Sequence, residues 1–303
     1  MNLEGKTGLD NPGDAEDPAE DPIVQRLRTV VKDNADLREA AQVYEVILPA
    51  LRDAAITIRP VLMTSEQARA KLEKGVPLLQ AVSLEIDDQE VCGLMMRLAS
   101  ALEKSAGQNK IRADAAGRIR LTLEEGRLDV SSLLPDIAAG ASEGIFSAAQ
   151  SLDLDPGMLR TLLSNAMEPF LRQWCRQLAP LAEGAPWDRG QCPVCGAAAT
   201  LAELQGNNQG KHLRCGSCGA DWTFRRLQCL YCGNEDHNTL GLLYTEDQTD
   251  RMRVEVCDRC HGYLKVITAF APTPAEMLPV EDLATLHLDY IAQGHGYSRV
   301  EKW

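Results

Sequence analysis

The chain has 303 residues, of which 45% are apolar and 25% charged, and a net charge of −13. That length suits about two domains of roughly 150 residues each, and the balance is that of a globular chain rather than a disordered or fibrous one. No run approaches the ~18 consecutive apolar residues of a membrane span, and the acidic field would repel a polyphosphate. Neither a membrane nor a nucleic-acid partner is therefore expected.

Residues 1–22 carry seven acids against one base, Lys6, together with Pro12, Pro18 and Pro22. They read as a solvated, mobile acidic leader. They lack the basic and apolar regions of a secretory signal, which makes the cytoplasm the expected compartment.

Residues 23–183 are predicted to form a helical domain, a bundle without chemistry. Ile23, Val24, Leu27, Val30 and Val31 fall on one helical face. Leu37, Ala40, Ala41, Tyr44, Ile47, Leu48 and Leu51 do the same in a second helix. Thr64 and Gln67 have the spacing of a capping box, opening a helix that ends at Gly75. Asp87 and Glu90 precede the amphipathic run Val91, Leu94, Met95, Leu98 and Leu102. Between Arg118 and Gln150 the pattern weakens. The Leu121/Leu123 alternation suggests a short strand, and Gly140 and Gly144 interrupt the small-residue run after it. Asp155-Pro156 then supplies a cap and a first-turn proline for a long helix. Cys92 and Cys175 sit among apolar helical positions and read as inert core residues.

Helical periodicity stops at Pro180, and Gly184, Pro186 and Gly190 mark a linker. Short alternating runs come next, predicting strands at 200–204, 211–214, 222–225, 239–244, 252–256 and 263–270. A closing helix is expected over 280–292, with Leu283, Leu286, Tyr290 and Ile291 on one face and a stop at Gly294. Asp282 and Asp289, seven apart, read as a solvated face.

Eight of the ten cysteines form four C-x-x-C pairs: Cys192/Cys195, Cys215/Cys218, Cys229/Cys232 and Cys257/Cys260. Reducing conditions disfavour disulfides, and clustered pairs read as metal ligands. Two thiolates on one tight turn grip one face of a tetrahedral ion, and a second turn brought alongside by a hairpin completes the shell. The intervening loops of 19 and 24 residues suit one ribbon each. Cys192, Cys195, Cys215 and Cys218 are then one site, and Cys229, Cys232, Cys257 and Cys260 the other. Pairing across modules would break the repeat of knuckle, two strands, knuckle, strand. Modules this small need metal to fold. Gly196, Gly219 and Gly233 come directly after three of the knuckles, where φ > 0 is needed, and the fourth has His261-Gly262.

The fold class is thus α+β. A helical domain (23–183) leads into two four-cysteine, rubredoxin-like or zinc-ribbon modules (184–226 and 227–271) and a C-terminal helical tail (272–303). Two ions are expected, iron or zinc; Cys-Pro-Val-Cys-Gly at 192–196 leans to iron. Closed all-cysteine sites leave no open coordination position, so metal-assisted hydrolysis is not expected. Two rivals remain. One is a thiol–disulfide protein using a single pair. The other is a zinc-ribbon nucleic-acid adaptor using Trp222, Phe224, Arg225 and Arg226. Against the second, residues 185–303 hold 15 acids and 11 bases, and that strip reads as a strand with one buried and one solvated face. Cys257 to His261 matches a haem-attachment pattern, but its three sibling pairs lack the histidine. His212 and His261 read as neighbours of the sites rather than ligands.

The ordered motifs resemble a family, the formate dehydrogenase accessory protein FdhE. The resemblance rests on Cys-Pro-Val-Cys-Gly (192–196), Cys-Gly-Ser-Cys-Gly with Trp222, Arg226 with Cys-Leu-Tyr-Cys-Gly-Asn (229–234), and Glu255. It continues through Cys257/Cys260, Tyr263-Leu264-Lys265 and Asp282-Leu283-Ala284-Thr285-Leu286 to Gly296-Tyr297. It implies a cytoplasmic, non-catalytic maturation factor that contacts the catalytic subunit of formate dehydrogenase and carries rubredoxin-like iron-binding ribbons. The eight paired cysteines match the family's metal positions. The sequence also leaves room for a homo-oligomer.

Overall fold

The computed structural model describes residues 20–107, 109–134, 137, 142–245 and 251–299. Most of the acidic leader and Gly140 lie outside these residues. Asp21 caps helix α1 (Pro22–Asp33), its carboxylate accepting from Ile23 N at 2.9 Å, and α2 (Arg38–Arg52) comes next. Thr64 and Gln67 form the expected capping box on α3 (Ser65–Glu73), which ends at Gly75 with φ +70°. Helix α4 (Asp88–Ser105) buries Val91, Leu94, Met95, Leu98 and Leu102. Its N-cap Asp87 accepts from Gln89 N, while Glu90 instead accepts from Thr57 N on the preceding segment.

The strand expected at Leu121/Leu123 is a helix, α5 (Lys110–Glu124). Asn109 caps it by accepting from Arg112 N at 3.0 Å. Ala116, Ile119 and Leu123 lie three and four apart on its buried face, and Arg120 ties it to Glu103 of α4 at 2.9 Å. Leu121 is solvent-facing, so the apparent alternation joined a buried leucine to an exposed one. Helix α6 (Glu143–Ser151) leads to α7 (Pro156–Ala182), capped by Asp155 and running through Pro169 and Pro180.

Among the described residues six strands follow: β1 (Leu201–Gln205), β2 (Gly210–Arg214), β3 (Asp221–Thr223), β4 (Leu240–Leu243), β5 (Met252–Cys257) and β6 (Gly262–Ala269). Each ribbon is an antiparallel three-strand meander, and both belong to one sheet of order β3-β2-β1-β6-β5-β4. The join is parallel: Ala202 opposite Val266, Glu203 opposite Ile267 and Leu204 opposite Thr268. The first strand of one copy therefore receives the last strand of the other.

The sheet has a helical layer on each face. Side chains alternate across the pleat, and Ala202, Leu204, Leu213, Trp222, Leu264 and Val266 face the N-terminal helices. There they join one apolar core with Leu163, Phe170, Trp174 and Leu178. The opposite face carries Val254, Val256 and Tyr263 against Leu288 and Ala292.

Those last two residues belong to a C-terminal segment that is two helices rather than one, α8 (Leu278–Ala284) and α9 (Leu286–Gly294). Thr285 makes the break: its hydroxyl donates back to Glu281 O at 2.8 Å. Its φ and ψ of −100° and 15° leave the helical region. Tyr290 points to solvent instead of joining the apolar face.

Asp282 and Asp289 are not a solvated face either. Lys265, fully buried in β6, donates to Asp289 Oδ2 at 2.6 Å and pairs with Asp282 at 2.8 Å. Tyr263 donates to Asp289 Oδ1 at 2.7 Å, and Arg299 reaches Asp282 at 2.7 Å. A buried lysine is tolerable only when paired in this way. The cluster fastens both short helices to the sheet. Between them, the charges of Lys265 and Arg299 overcome the effect of burial and hold the Asp282 carboxyl below its usual range.

Candidate metal centres

All four cysteine pairs fall in turns flanking strands, none at the start of a helix. Cys192/Cys195 precedes β1, Cys215/Cys218 joins β2 to β3, Cys229/Cys232 precedes β4, and Cys257/Cys260 joins β5 to β6. The turns share one geometry. The N–H four residues beyond the first cysteine donates back to its carbonyl: Gly196 to Cys192, Gly219 to Cys215, Gly233 to Cys229, and His261 to Cys257, at 2.8–3.0 Å. The donor residue is left-handed in every case, with φ +83°, +78°, +69° and +53°. The fourth knuckle thus places a histidine where glycine was expected. Gly262 serves another need: a Cβ there would lie 2.5 Å from the Tyr231 ring.

These turns bring the sulfurs together as the ribbon reading expected. Cys192, Cys195, Cys215 and Cys218 form one group and Cys229, Cys232, Cys257 and Cys260 another, with all sulfurs in a group within 4.8 Å of each other. Sγ–Sγ contacts are 3.5 Å for Cys192–Cys218 and Cys195–Cys215. They are 3.6 Å for Cys229–Cys260 and 3.7 Å for Cys232–Cys257. A tetrahedron with metal–sulfur bonds of ~2.3 Å has edges of ~3.8 Å, while a disulfide needs ~2.05 Å. The donor sets fit a tetrahedral thiophilic ion, and the two clusters could hold two metal ions.

Hydrogen bonds prepare the sulfurs for charge. Cys195 N points at Cys192 Sγ, and the Asn234 amide at Cys257 Sγ, 3.5 and 3.6 Å away. Without metal the thiols of each quartet are unequal. Hydrogen bonds from Cys192, Cys195 and Cys218 hold the Cys215 thiol well below its usual range. Burial opposes ionisation of Cys257, yet the Cys260 and Arg259 N–H groups and Asn234 bring it down to about 7. Burial pushes Cys192 up, and takes Cys260 up to about 11. Cys215 and Cys257, each the first cysteine of its ribbon's second knuckle, are thus the thiols shifted down.

The two centres differ in their surroundings. Leu78 and Leu79 N–H groups donate to the carbonyls of Pro193 and Val194 at 2.8 Å, tying the first knuckle to the segment after α3. Pro77 lies 3.2 Å from where a Cβ of Gly196 would stand, and Ala275 lies 2.5 Å from one on Gly219. Cys175 of α7 is buried as expected, whereas Cys92 is only half-buried. Glu168 and Arg172, a buried pair on the same helix, also border this site. Burial raises the Glu168 carboxyl to about 7 despite Arg172. In the second centre Cys232 is exposed and Gly233 faces open space.

Of the other candidates, His212 accompanies Asp221 at 2.5 Å, and the His261 ring lies 6.0 Å from that of Tyr297. Neither belongs to a sulfur group. Trp222 and Phe224 are buried and Thr223, Arg225 and Arg226 exposed, but β3 ends at Thr223, so both arginines lie beyond the strand expected to carry Arg225. Sequence reasoning missed the Lys265 cluster and the buried Arg214–Glu203 pair at 2.5 Å. Strand alternation put Lys265 on an inward face, and that was the available signal. Among the described residues no helix is long and apolar enough to cross a membrane.

The chain is similar in sequence and in fold to known proteins. A family model described as "FdhE, C-terminal domain" matches residues 227–302. The FdhE homolog of Aquifex aeolicus is 28% identical over 148 residues, 48% of this chain and 51% of that protein. That of Shewanella oneidensis is 26% identical over 208 residues, 68% of this chain and 63% of the relative. The crystal structure of the FdhE protein from Pseudomonas aeruginosa superposes with a TM-score of 0.60 over 92% of both chains, at 24% identity. The chain is similar to the FdhE proteins. The alignments span about half to two thirds of these curated relatives, and the crystal structure carries the likeness of fold through the helical half.

Proposed function

We propose that this FdhE relative is a non-catalytic accessory protein for formate dehydrogenase, binding the catalytic subunit while that enzyme matures, and that its eight paired cysteines hold two ions. The observation that carries the reading is the pair of closed sulfur quartets on one sheet, flanked by helices. Cys192, Cys195, Cys215 and Cys218 ligate the first ion and Cys229, Cys232, Cys257 and Cys260 the second. Four thiolates leave no open position for substrate, so the ions act as structural clamps whose binding energy shapes the sheet. Iron is the metal proposed, on the Cys-Pro-Val-Cys-Gly knuckle and the family resemblance; zinc would fit the same donor set.

A thiol–disulfide role is disfavoured by the position of the pairs. A dithiol nucleophile is activated at a helix N-terminus, and all four pairs occupy strand-flanking turns. The test is co-purification of a tagged chain with the formate dehydrogenase catalytic subunit, together with formate dehydrogenase activity in a deletion strain. Co-purification with lost activity in the deletion supports the proposal. Unchanged activity in the deletion strain refutes it.

A further inference from the structure

The internal repeat exposes an unequal pair of sheet edges. In the first ribbon the outer edge of β1 receives β6 as a parallel neighbour. β4 is the equivalent strand of the second ribbon, the first after its opening knuckle, and it is the terminal strand of the sheet. Among the described residues nothing pairs with its outer edge. The module design accepts a parallel strand at this place, and one copy of that place is open.

Beside the edge lies a cavity of about 290 Å³ between β4, β5 and the third knuckle. Leu227, Leu230, Leu240 and Leu242 give it an apolar wall, and Leu227 and Leu242 are 72% and 51% exposed. Two of its lining residues bring polar atoms that are buried without a partner, the Gln228 Oε1 acceptor and the Arg253 Nε donor. A buried unpaired polar atom is costly, and one acceptor with one donor is the complement of a backbone amide. Arg226 and His237 also line the cavity, while its carboxylate, Glu255, is engaged by Lys211.

We infer that the open edge of β4 and the adjoining cavity bind an extended segment of a partner protein as a parallel seventh strand. One apolar side chain of the segment enters the cavity. A neighbouring acidic residue faces Arg226, and Gln228 and Arg253 read the backbone between them. Main-chain pairing supplies affinity and the cavity supplies selectivity. The inference deepens the accessory reading by naming where a partner's chain is held, and it stands on the open edge and the unpaired polar atoms.

The test uses the full-length, metal-loaded protein. It is panned against a random heptapeptide display library, and the selected peptides are titrated by fluorescence anisotropy on wild type, Gln228→Leu and Leu242→Lys. The expected peptides share an apolar residue beside an acidic one and bind both variants at least tenfold more weakly. The thermal midpoint of Gln228→Leu is expected to be no lower than wild type, because an unpaired atom has been removed. Peptides that bind all three proteins equally, or no selection above background, overturn the site. So does a dimer dispersed by Leu242→Lys, which would assign the edge to a second copy, or displacement of the peptides by a single-stranded oligonucleotide. Peptide binding without any co-purified formate dehydrogenase subunit would keep this site and sink the accessory reading. Co-purification unaffected by either variant would do the reverse.

Discussion

The two sulfur quartets share one turn geometry and differ in what covers them. The first is clamped between helical core and sheet: Leu78 and Leu79 hold its knuckle, Pro77 and Ala275 press on its glycines, and Cys192, Cys215 and Cys218 are buried. The second holds its ribbon at the open end of the sheet, with Cys232 and Gly233 toward solvent. Under the metal-binding proposal, a repeated module placed in two surroundings is a built-in clamp in one copy and an accessible clamp in the other. Ligand sets alone would not distinguish them.

The sharpest break of that comparison is loss of one ligand from each quartet. Structural thiolate sites contribute on the order of 10 kcal/mol. Cys215→Ser should therefore unfold sheet and helices together, whereas Cys232→Ser should leave the helical core folded. Circular dichroism melts with metal content per chain decide it, and equal collapse of both variants would erase the difference drawn here.

Next in size is the Lys265 cluster, which secures the C-terminal helices beside the second quartet. Removing one partner of a buried ion pair costs about 3–5 kcal/mol. Lys265→Met should lose that much in urea unfolding and free α8 and α9 to proteolysis. A loss under ~1 kcal/mol, the level of a surface pair, would show the cluster to be solvated.

Glu168, beside the first quartet, gives a pH signature. Its carboxyl is raised from 4.5 to about 7 in the folded chain. Between those values the folded state binds more protons than the unfolded, so its contribution is full below pH ~4.5 and is lost as pH rises toward 7. At ~1.4 kcal/mol per unit the ceiling is about 3 kcal/mol. Glu168→Gln should flatten stability between about pH 4.5 and 7, and an unchanged slope would contradict the assignment.

The smallest effect concerns the one knuckle without glycine. His261 holds φ +53°, a region costing a side chain about 1 kcal/mol. His261→Gly should raise the thermal midpoint slightly at unchanged metal content; a clear drop would mean the ring's contact with Tyr297 outweighs the strain.

Much of this was legible in the sequence because the signals are local. C-x-x-C spacing and the glycine after it specify a knuckle within five residues, and Thr64/Gln67 or Asp155-Pro156 specify a helix start within four. What escaped depends on residues far apart. The parallel join of Ala202 to Val266 unites strands whose pairing no turn announces. Asp289 looked solvated because its partner, Lys265, is 24 residues away on a strand. Thr285 ended a helix through its side-chain bond to Glu281 in a stretch whose periodicity continued past it. Leu121 and Leu123 imitated a strand because two residues of alternation do not separate a period of 2 from one of 3.6; the structure shows a helix there, capped by Asn109.

The most direct test is a native mass spectrum of the purified chain followed during chelation, with alkylation marking each freed thiol. The expected result is two ions per chain, loss of one first with Cys232 labelled, and loss of the second only as the helical core melts. A folded chain that carries no metal, or whose paired cysteines are joined as disulfides, would contradict the clamp account.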